Sequence, residues 1–422
     1  MATITVAGLA LANNCRRITD LTFDVPPVPS SGGGYLHTFP TLDNGTGTAA
    51  GAPPFVVVGD FQRTSFQECL LQREVNDRET STIIGAIARS KPAFVVVAGD
   101  FVFDAGDKQH WRYADSVLQP LAGFPLFPVA GNHDYCTGSL IPYADDSARC
   151  DNSGPARSYD QRFGFAAAGH DEGGGGGGGG GSGGGGSGGG GSGLRVSWHS
   201  HVHGELGLVW LDTNFHRLST AEWDAQLAWL RSTLASWETE ARVRGVVLFT
   251  HHPAYTNSFV VRAERHVRDD IMPVFCASSK GLAVFAGHAH GLERFALDCR
   301  EGAAGAATTA PAAFASHPEA RHVVVTGGGG GPRPSKGLRK AESRGYEDVL
   351  GETDRPRPFN FLRVGVVAAV GRGGWGAAEE EGAAEEGAAR ADRSAGLRVV
   401  AYGLDSGETA ARELFAFEVP FA

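Results

Sequence analysis

An α/β fold, with helices covering a sheet, is predicted by three features of the sequence. Short continuous apolar runs recur along the chain, helical patterns separate several of them, and five of the runs stop at glycine or threonine followed at once by Asp, Asn or His. A strand buried on both faces has no polar side to show, so it reads as an unbroken apolar run.

The runs are Phe55-Val56-Val57-Val58, Phe94 to Ala98, Leu126 to Ala130, Leu206 to Leu211, Val246 to Phe249 and Leu282 to Ala286. Between them, Thr80 to Arg89 places Ile83, Ile84 and Ile87 on one helical stripe. Thr220 to Glu238 places Trp223, Leu227, Leu230 and Leu234 on one face, with Ser219 or Thr220 as N-cap. Strand and helix in alternation make an α/β core. After about Pro358 the pattern changes. Phe361 to Val367 and Leu397 to Tyr402 read as a hairpin looped by an acidic insertion, and Leu414 to Val419 adds an alternating strand.

The bulk composition narrows the partners. Hydrophobic residues make up 42% of the chain and charged residues 20%, as in ordinary globular proteins. A formal charge of −10 disfavours a nucleic-acid partner held through its phosphates. No apolar run is long enough to span a bilayer. Met1 to Ala12 is expected to be the first strand. Residues 1–50 are expected to pack on a single domain over 51–422, with low-complexity insertions at 173–193, 301–316 and 371–395. The first insertion contains only Gly and Ser and is expected to form a flexible loop. The cysteines are Cys15, Cys69, Cys136, Cys150, Cys276 and Cys299, with no Cys-x-x-Cys pair. They read as free thiols, with Cys136 and Cys150 the pair that an oxidising compartment could bridge. A cytoplasmic location is favoured, with export as the alternative.

The five strand-end blocks carry the chemistry. They are Gly59-Asp60-Phe61-Gln62, Gly99-Asp100-Phe101-Val102-Phe103-Asp104, Gly131-Asn132-His133-Asp134, Thr250-His251-His252-Pro253 and Gly287-His288-Ala289-His290. Ligands of open α/β sheets gather at the carboxyl ends of strands, so these distant residues can meet in one crevice. Carboxylate, imidazole and amide groups suit Mn, Fe or Zn. Two such ions would neutralise a phosphate ester and activate a water for in-line attack. Any one block is ordinary turn chemistry. Five of them together favour a site.

The blocks resemble the calcineurin-like metallophosphoesterase superfamily, whose pattern is D-x-H, G-D-x-x-D, G-N-H-[D/E], H and G-H-x-H in that order. The resemblance implies a four-layer αββα sandwich of two mixed sheets and two divalent metal ions. It places one ion on Asp60, Gln62, Asp100 and His290 and the other on Asp100, Asn132, His251 and His288, with Asp100 bridging. His133 would protonate the leaving group, oriented by Asp104. Gly287-His288-Ala289-His290-Gly291-Leu292-Glu293-Arg294 is similar to the G-H-x-H-x-x-E-R of purple acid phosphatases, as is the glycine-rich Gly327 to Gly331 to a late loop there. Those enzymes carry tyrosine in the second block, where this chain offers Asp104 and no tyrosine, which argues against a purple ferric centre. Gln62 replaces the usual histidine, as in some Mn-dependent nucleotide-diphosphate hydrolases, and an amide oxygen shifts that site towards Mn-like ions.

The expected function is hydrolysis of a phosphorylated small molecule, with a monoesterase favoured. The alternatives are a phosphodiesterase or nucleotide diphosphatase and, outside catalysis, a metal-binding scaffold. His199, His201 and His203 read as the polar face of an edge strand. His252 reads as a supporting neighbour of His251, and Arg63 as a solvated arginine.

Overall fold

Alternation along each strand decides the layering. The computed structural model describes residues 15, 52–71, 73–135, 159, 163, 197–258, 261–297, 299, 320–333, 346–351, 357–367 and 395–421. In its first sheet, β1 (Phe55–Val58), β2 (Val95–Val97) and β3 (Leu126–Pro128) run parallel. Phe55 and Val57 point one way, into a core shared with the second sheet, where Phe55 stacks on Phe94 at 4.7 Å. Val56 and Val58 point the other way, against helices α2 (Asp77–Arg89) and α3 (Lys108–Leu118). The short helix α1 (Phe66–Leu70) precedes them. Ile83, Ile84 and Ile87 form the predicted stripe on α2 and are fully buried.

The second sheet contains β4 (His199–His203), β5 (Leu206–Trp210), β6 (Gly245–Phe249), β7 (Gly281–Ala286), β8 (Leu292–Leu297), β9 (Arg321–Thr326) and β10 (Tyr346–Asp348), in the order β10-β8-β9-β7-β6-β5-β4. Helices α4 (Thr220–Thr239) and α5 (Met272–Ala277) cover its outer face. Ser219 caps α4 in a full capping box with Glu222, which settles the choice between Ser219 and Thr220. The predicted C-terminal strands are β11 (Phe359–Val367), β12 (Gly396–Leu404) and β13 (Arg412–Pro420). They extend the first sheet as β13-β12-β11-β1-β2-β3, with β11 antiparallel to β1. Two mixed sheets packed face to face, with helices outside both, make the expected four-layer αββα sandwich.

Two expectations are corrected. Cys15 is disulfide-bonded to Cys69 and Cys276 to Cys299, with Cα separations of 5.7 and 5.2 Å, so these are not free thiols. The pairs are 54 and 23 residues apart, a convergence that cysteine spacing alone does not reveal. The alternating histidines do sit on the edge strand β4, yet His199 and His203 turn towards aromatic core. His199 stacks on Trp210 at 4.7 Å, and His203 meets the edge of Phe94 at 5.1 Å while donating from Nε2 to the Pro53 carbonyl. The Met1 to Ala12 strand, Cys136, Cys150 and nearly all of the three low-complexity segments lie outside the described residues. Among the described residues no helix is long and apolar enough to cross a membrane.

Candidate metal centre

Strands β1, β2 and β3 of one sheet and β6 and β7 of the other end on the same side of the sandwich, and each is followed by one of the five blocks. The sheets are joined there through the backbone. Gly59 N–H donates to the Thr326 carbonyl at the end of β9, and Gly329 N–H donates back to the Gly59 carbonyl. Space is tight at this junction. A Cβ on Gly131 would collide with the Asp100 carboxylate, and one on Gly99, whose φ is +91°, with the His251 ring.

The seven expected ligand residues share one crevice. Gln62 Nε2 lies 3.2 Å from Asp100 Oδ2 and 2.9 Å from His290 Nε2. His290 Nε2 is 3.3 Å from Asp60 Oδ1. On the other side, His251 Nε2 is 3.0 Å from Asn132 Oδ1, 3.2 Å from His288 Nδ1 and 3.4 Å from Asp100 Oδ2. Asp100 Oδ2 therefore touches both halves. Asp60, Asp100 and His290 offer ligand atoms within 4.8 Å of one another, and His251, His252 and His288 form a second such group.

The residues fit a pair of cations. Gln62 Oε1 is buried and has no hydrogen-bond partner among the described residues, and turning the amide over would set that oxygen beside Asp100 and His290. Asp100 and Asp60 are fully buried. Burial opposes ionisation of Asp100, but the neighbouring His251 and His133 outweigh it and hold its carboxyl well below the usual range. Burial raises Asp60, and His290 offsets only part of that. His251 resists its own burial through Asp100 and rises to about 9. A cluster this charged and this dry is costly unless metal ions complete it.

Backbone strain falls on the same residues. Of the five non-glycine residues with positive φ among the described residues, four are Asp60 (62°), Asp100 (56°), His288 (68°) and His290 (43°). Each left-handed residue costs about 1–2 kcal/mol, and such strain concentrates at functional sites.

His133 donates its backbone N–H to Asp100 Oδ1 at 3.0 Å, and its ring stacks on Phe103 at 4.9 Å. The ring's Nδ1 is 2.8 Å from the Phe103 carbonyl. Asp104 was expected to orient this ring. Its carboxylate instead accepts the Gly106 N–H at 2.8 Å, closing its own turn, and its backbone N–H donates to His110 Nδ1. The acidic position of G-D-x-x-D falls three residues after Asp100, at Phe103, and Asp104 lies one residue beyond it, so the Phe103 carbonyl takes the place given to Asp104.

Three supporting residues escaped the sequence reading. Asp134 accepts backbone N–H groups from Asp100, Phe101 and Gly131, tying two ligand loops together. It stands at the end of the third block, where the pattern alone could have singled it out. Asp212 and Thr213 follow β5, a run whose polar ending lies outside the five blocks. Asp212 accepts from Tyr135, Ser197 and Asn214. Thr213 Oγ1 accepts the backbone N–H groups of His251 and His252. Arg63 is not solvated: it is buried and paired with Asp77 at 3.3 Å.

A family model described as calcineurin-like phosphoesterase matches residues 53–292. No curated protein matches the sequence. Among solved structures, the chain is similar to a purple acid phosphatase from yellow lupin (Lupinus luteus) seeds at 14% identity and a TM-score of 0.56, covering 88% of this chain and 55% of that one. The chain thus spans about half the length of the lupin enzyme, and the likeness is one of fold. Two others are the inner membrane complex anchor of Plasmodium (11% identity, TM-score 0.48, 88% of this chain and 89% of that one) and a dimetal phosphatase from Danio rerio (11%, 0.45, 88% and 99%).

Proposed function

Because the chain belongs to the calcineurin-like phosphoesterase family, whose model spans more than half of it, we propose that it is a phosphatase that hydrolyses phosphoric monoesters of small molecules. Metal-dependent phosphoester hydrolysis follows from the family and from the two adjacent His/Asp groups. The monoester preference draws on the purple-acid-phosphatase-like Gly287 to Arg294 block and on the matching fold.

The observation that carries the reading is the coincidence of strain, burial and convergence at Asp60, Asp100, His288 and His290. Asp60, Gln62, Asp100 and His290 would hold one ion, and Asp100, Asn132, His251 and His288 the other. Mn, Fe and Zn all suit this mixed set of donors. When bound, such ions neutralise the phosphoryl charge and make water acidic enough to attack. The protein presets the ligands. His251 Nδ1 donates to the Ala98 carbonyl at 2.8 Å and His290 Nδ1 to the Pro332 carbonyl at 2.9 Å, so each turns an Nε2 lone pair inward. His133 Nδ1 is likewise anchored on the Phe103 carbonyl. Its Nε2, which has no hydrogen-bond partner among the described residues, would deliver a proton to the departing alkoxide. The disulfides Cys15–Cys69 and Cys276–Cys299 suit an oxidising compartment better than the cytoplasm.

The test is a panel of p-nitrophenyl phosphate, bis(p-nitrophenyl) phosphate and ADP-ribose, run with Mn, Fe and Zn. The monoester should lead in kcat/KM by at least about tenfold, ~1.4 kcal/mol of transition-state discrimination. A lead by the diester or the diphosphate would reassign the substrate class. Two bound metals without turnover of any ester would leave a scaffold.

A further inference from the structure

His252 is the histidine of the crevice that the ligand pattern does not use. Its ring centroid lies 4.6 Å from that of His288 and 4.8 Å from that of His251. One ring nitrogen of each of the three falls within a 4.8 Å group. Proximity alone would make His252 another ligand, but its hydrogen bonds point elsewhere.

Thr213 sets the His252 ring. Its hydroxyl oxygen accepts the His251 N–H at 3.3 Å and the His252 N–H at 3.0 Å, which occupies both lone pairs. The same oxygen lies 3.0 Å from His252 Nδ1. The only group left for that contact is the hydroxyl proton, so Thr213 donates and Nδ1 accepts. A neutral imidazole with an accepting Nδ1 carries its proton on Nε2. His251 and His290 are set the opposite way, with Nδ1–H on a carbonyl, so that in the neutral ring the lone pair is on Nε2. The crevice thus holds imidazoles of two kinds: some offer a lone pair, and His252 offers an N–H.

Resting on the phosphoesterase reading above, we propose that His252 is a substrate-binding residue whose Nε2–H donates a hydrogen bond to a non-bridging oxygen of the phosphoryl group. The ring is only partly buried, and among the described residues Nε2 has no hydrogen-bond partner, so the donor is available to a ligand. A phosphoryl group seated between the two ligand sets would lie beside His288, where this ring is packed. The donor needs no protonation step, because Thr213 fixes the tautomer of the neutral ring.

The experiment measures inorganic phosphate binding to the metal-loaded protein by calorimetry, with metal content per chain determined for every variant. His252→Phe keeps a ring of similar shape and removes the donor. It should retain two metals and bind phosphate about tenfold more weakly, the range for one hydrogen bond to a charged group. His252→Gln restores an N–H and should recover part of the loss. Unchanged phosphate affinity in His252→Phe would overturn the proposal. So would a fall in metal content for both variants, which would make His252 a ligand. If His252→Phe does not fold, the Gln variant and the wild-type ring are read instead. In the zinc-loaded wild type, 15N NMR of the histidines should show His252 as the Nε2–H tautomer, and the opposite tautomer would refute the assignment. Failure of the wild type to bind phosphate or turn over any ester, with His252 in the Nε2–H form, would strike the phosphoesterase reading and not the tautomer.

Discussion

The two halves of the crevice are built from different materials. On one side Asp60, Gln62 and His290 surround Asp100, with oxygen donors dominating. On the other side His251, His252 and His288 crowd together with Asn132, and nitrogen dominates. The oxygen-rich half should favour harder ions and the imidazole half borderline ones, because softness of the donor sets preference where raw affinity does not. The halves are also held differently. Backbone strain is common to both, at Asp60 and His290 on one side and at His288 on the other, but the oxygen side also hangs on the Gly327 to Gly331 loop, whose Gly331 N–H donates to the Asp60 carbonyl. The imidazole side hangs on side-chain hydrogen bonds from Thr213 and, further out, on Glu293. One residue belongs to both sides, and it offers the sharpest way to break the comparison.

That residue is Asp100. Its Oδ2 approaches Gln62 on one side and His251 on the other, while Oδ1 accepts the His133 N–H. Asp100→Asn keeps the shape and removes the charge. Turnover should fall about a thousandfold or more, ~4 kcal/mol, with loss of metal from both halves. Near-normal kcat with two metals retained would show that the halves do not share a ligand.

The convergence of this crevice was legible because the candidate ligands follow buried strands, and such strands are unbroken apolar runs. Phe55 to Val58 and Val246 to Phe249 needed no tertiary information to be found. β8 was less legible: Leu292-Glu293-Arg294-Phe295 mixes charge with apolar residues, yet Glu293 and Arg294 are both buried. Their partners come from distant segments, with Arg294 lying over the Phe417 ring at 3.7 Å. Helix α3 hid its periodicity behind Lys108, Gln109 and Arg112. The disulfide partners and the carbonyl partner of His133 depend on three-dimensional proximity, which spacing does not encode.

Glu293 tests how the imidazole half is supported. It accepts from Thr256 Oγ1 and from the Asn257 N–H at 2.6 Å, holding the loop that follows His251. Burial, with Asp348 nearby, pushes its carboxyl up to about 7, against the hydrogen bonds of Thr256 and Asn257 and the pull of Arg357. A raised carboxyl contributes stability that is fully present below its unfolded value and is lost as pH rises through the folded one. Between about pH 4.5 and 7 the folded protein should therefore lose at most about 3 kcal/mol from this group. Glu293→Gln should flatten that part of the curve, and melting temperature against pH for the two proteins reads the difference. Parallel curves would mean that Glu293 ionises as freely as in the unfolded chain.

Gln62 tests the hardness of the oxygen-rich half. Gln62→His replaces an amide oxygen with an imidazole and makes the two halves more alike. Metal preference should move from Mn towards Zn and Fe, and activity titrated against each metal should show it. Gln62→Ala leaves one position to water and should weaken only this half, by about 10–100-fold in metal affinity, the scale found for residues that support a metal site. Three superimposable titrations would place residue 62 outside the ligand set.

The smallest effect is expected at Asp104, and it separates the pattern of the family from the geometry of this chain. If Asp104 oriented His133, removing its carboxylate would release the ring and lower kcat strongly. Here the ring is held by the Phe103 carbonyl at 2.8 Å and by stacking on Phe103, while the Asp104 carboxylate accepts the Gly106 N–H. Asp104→Ala should therefore cost about 1 kcal/mol of stability through its lost turn hydrogen bond, and change kcat by no more than about threefold. The turn is short and the backbone bond from Asp104 to His110 does not depend on the side chain, so the loop should keep its path. Denaturant melts and steady-state kinetics on the same preparation measure both quantities. A hundredfold drop in kcat at unchanged stability would return to Asp104 the orienting role that the sequence pattern implied, and would mean that the Phe103 carbonyl is not what holds His133 during turnover.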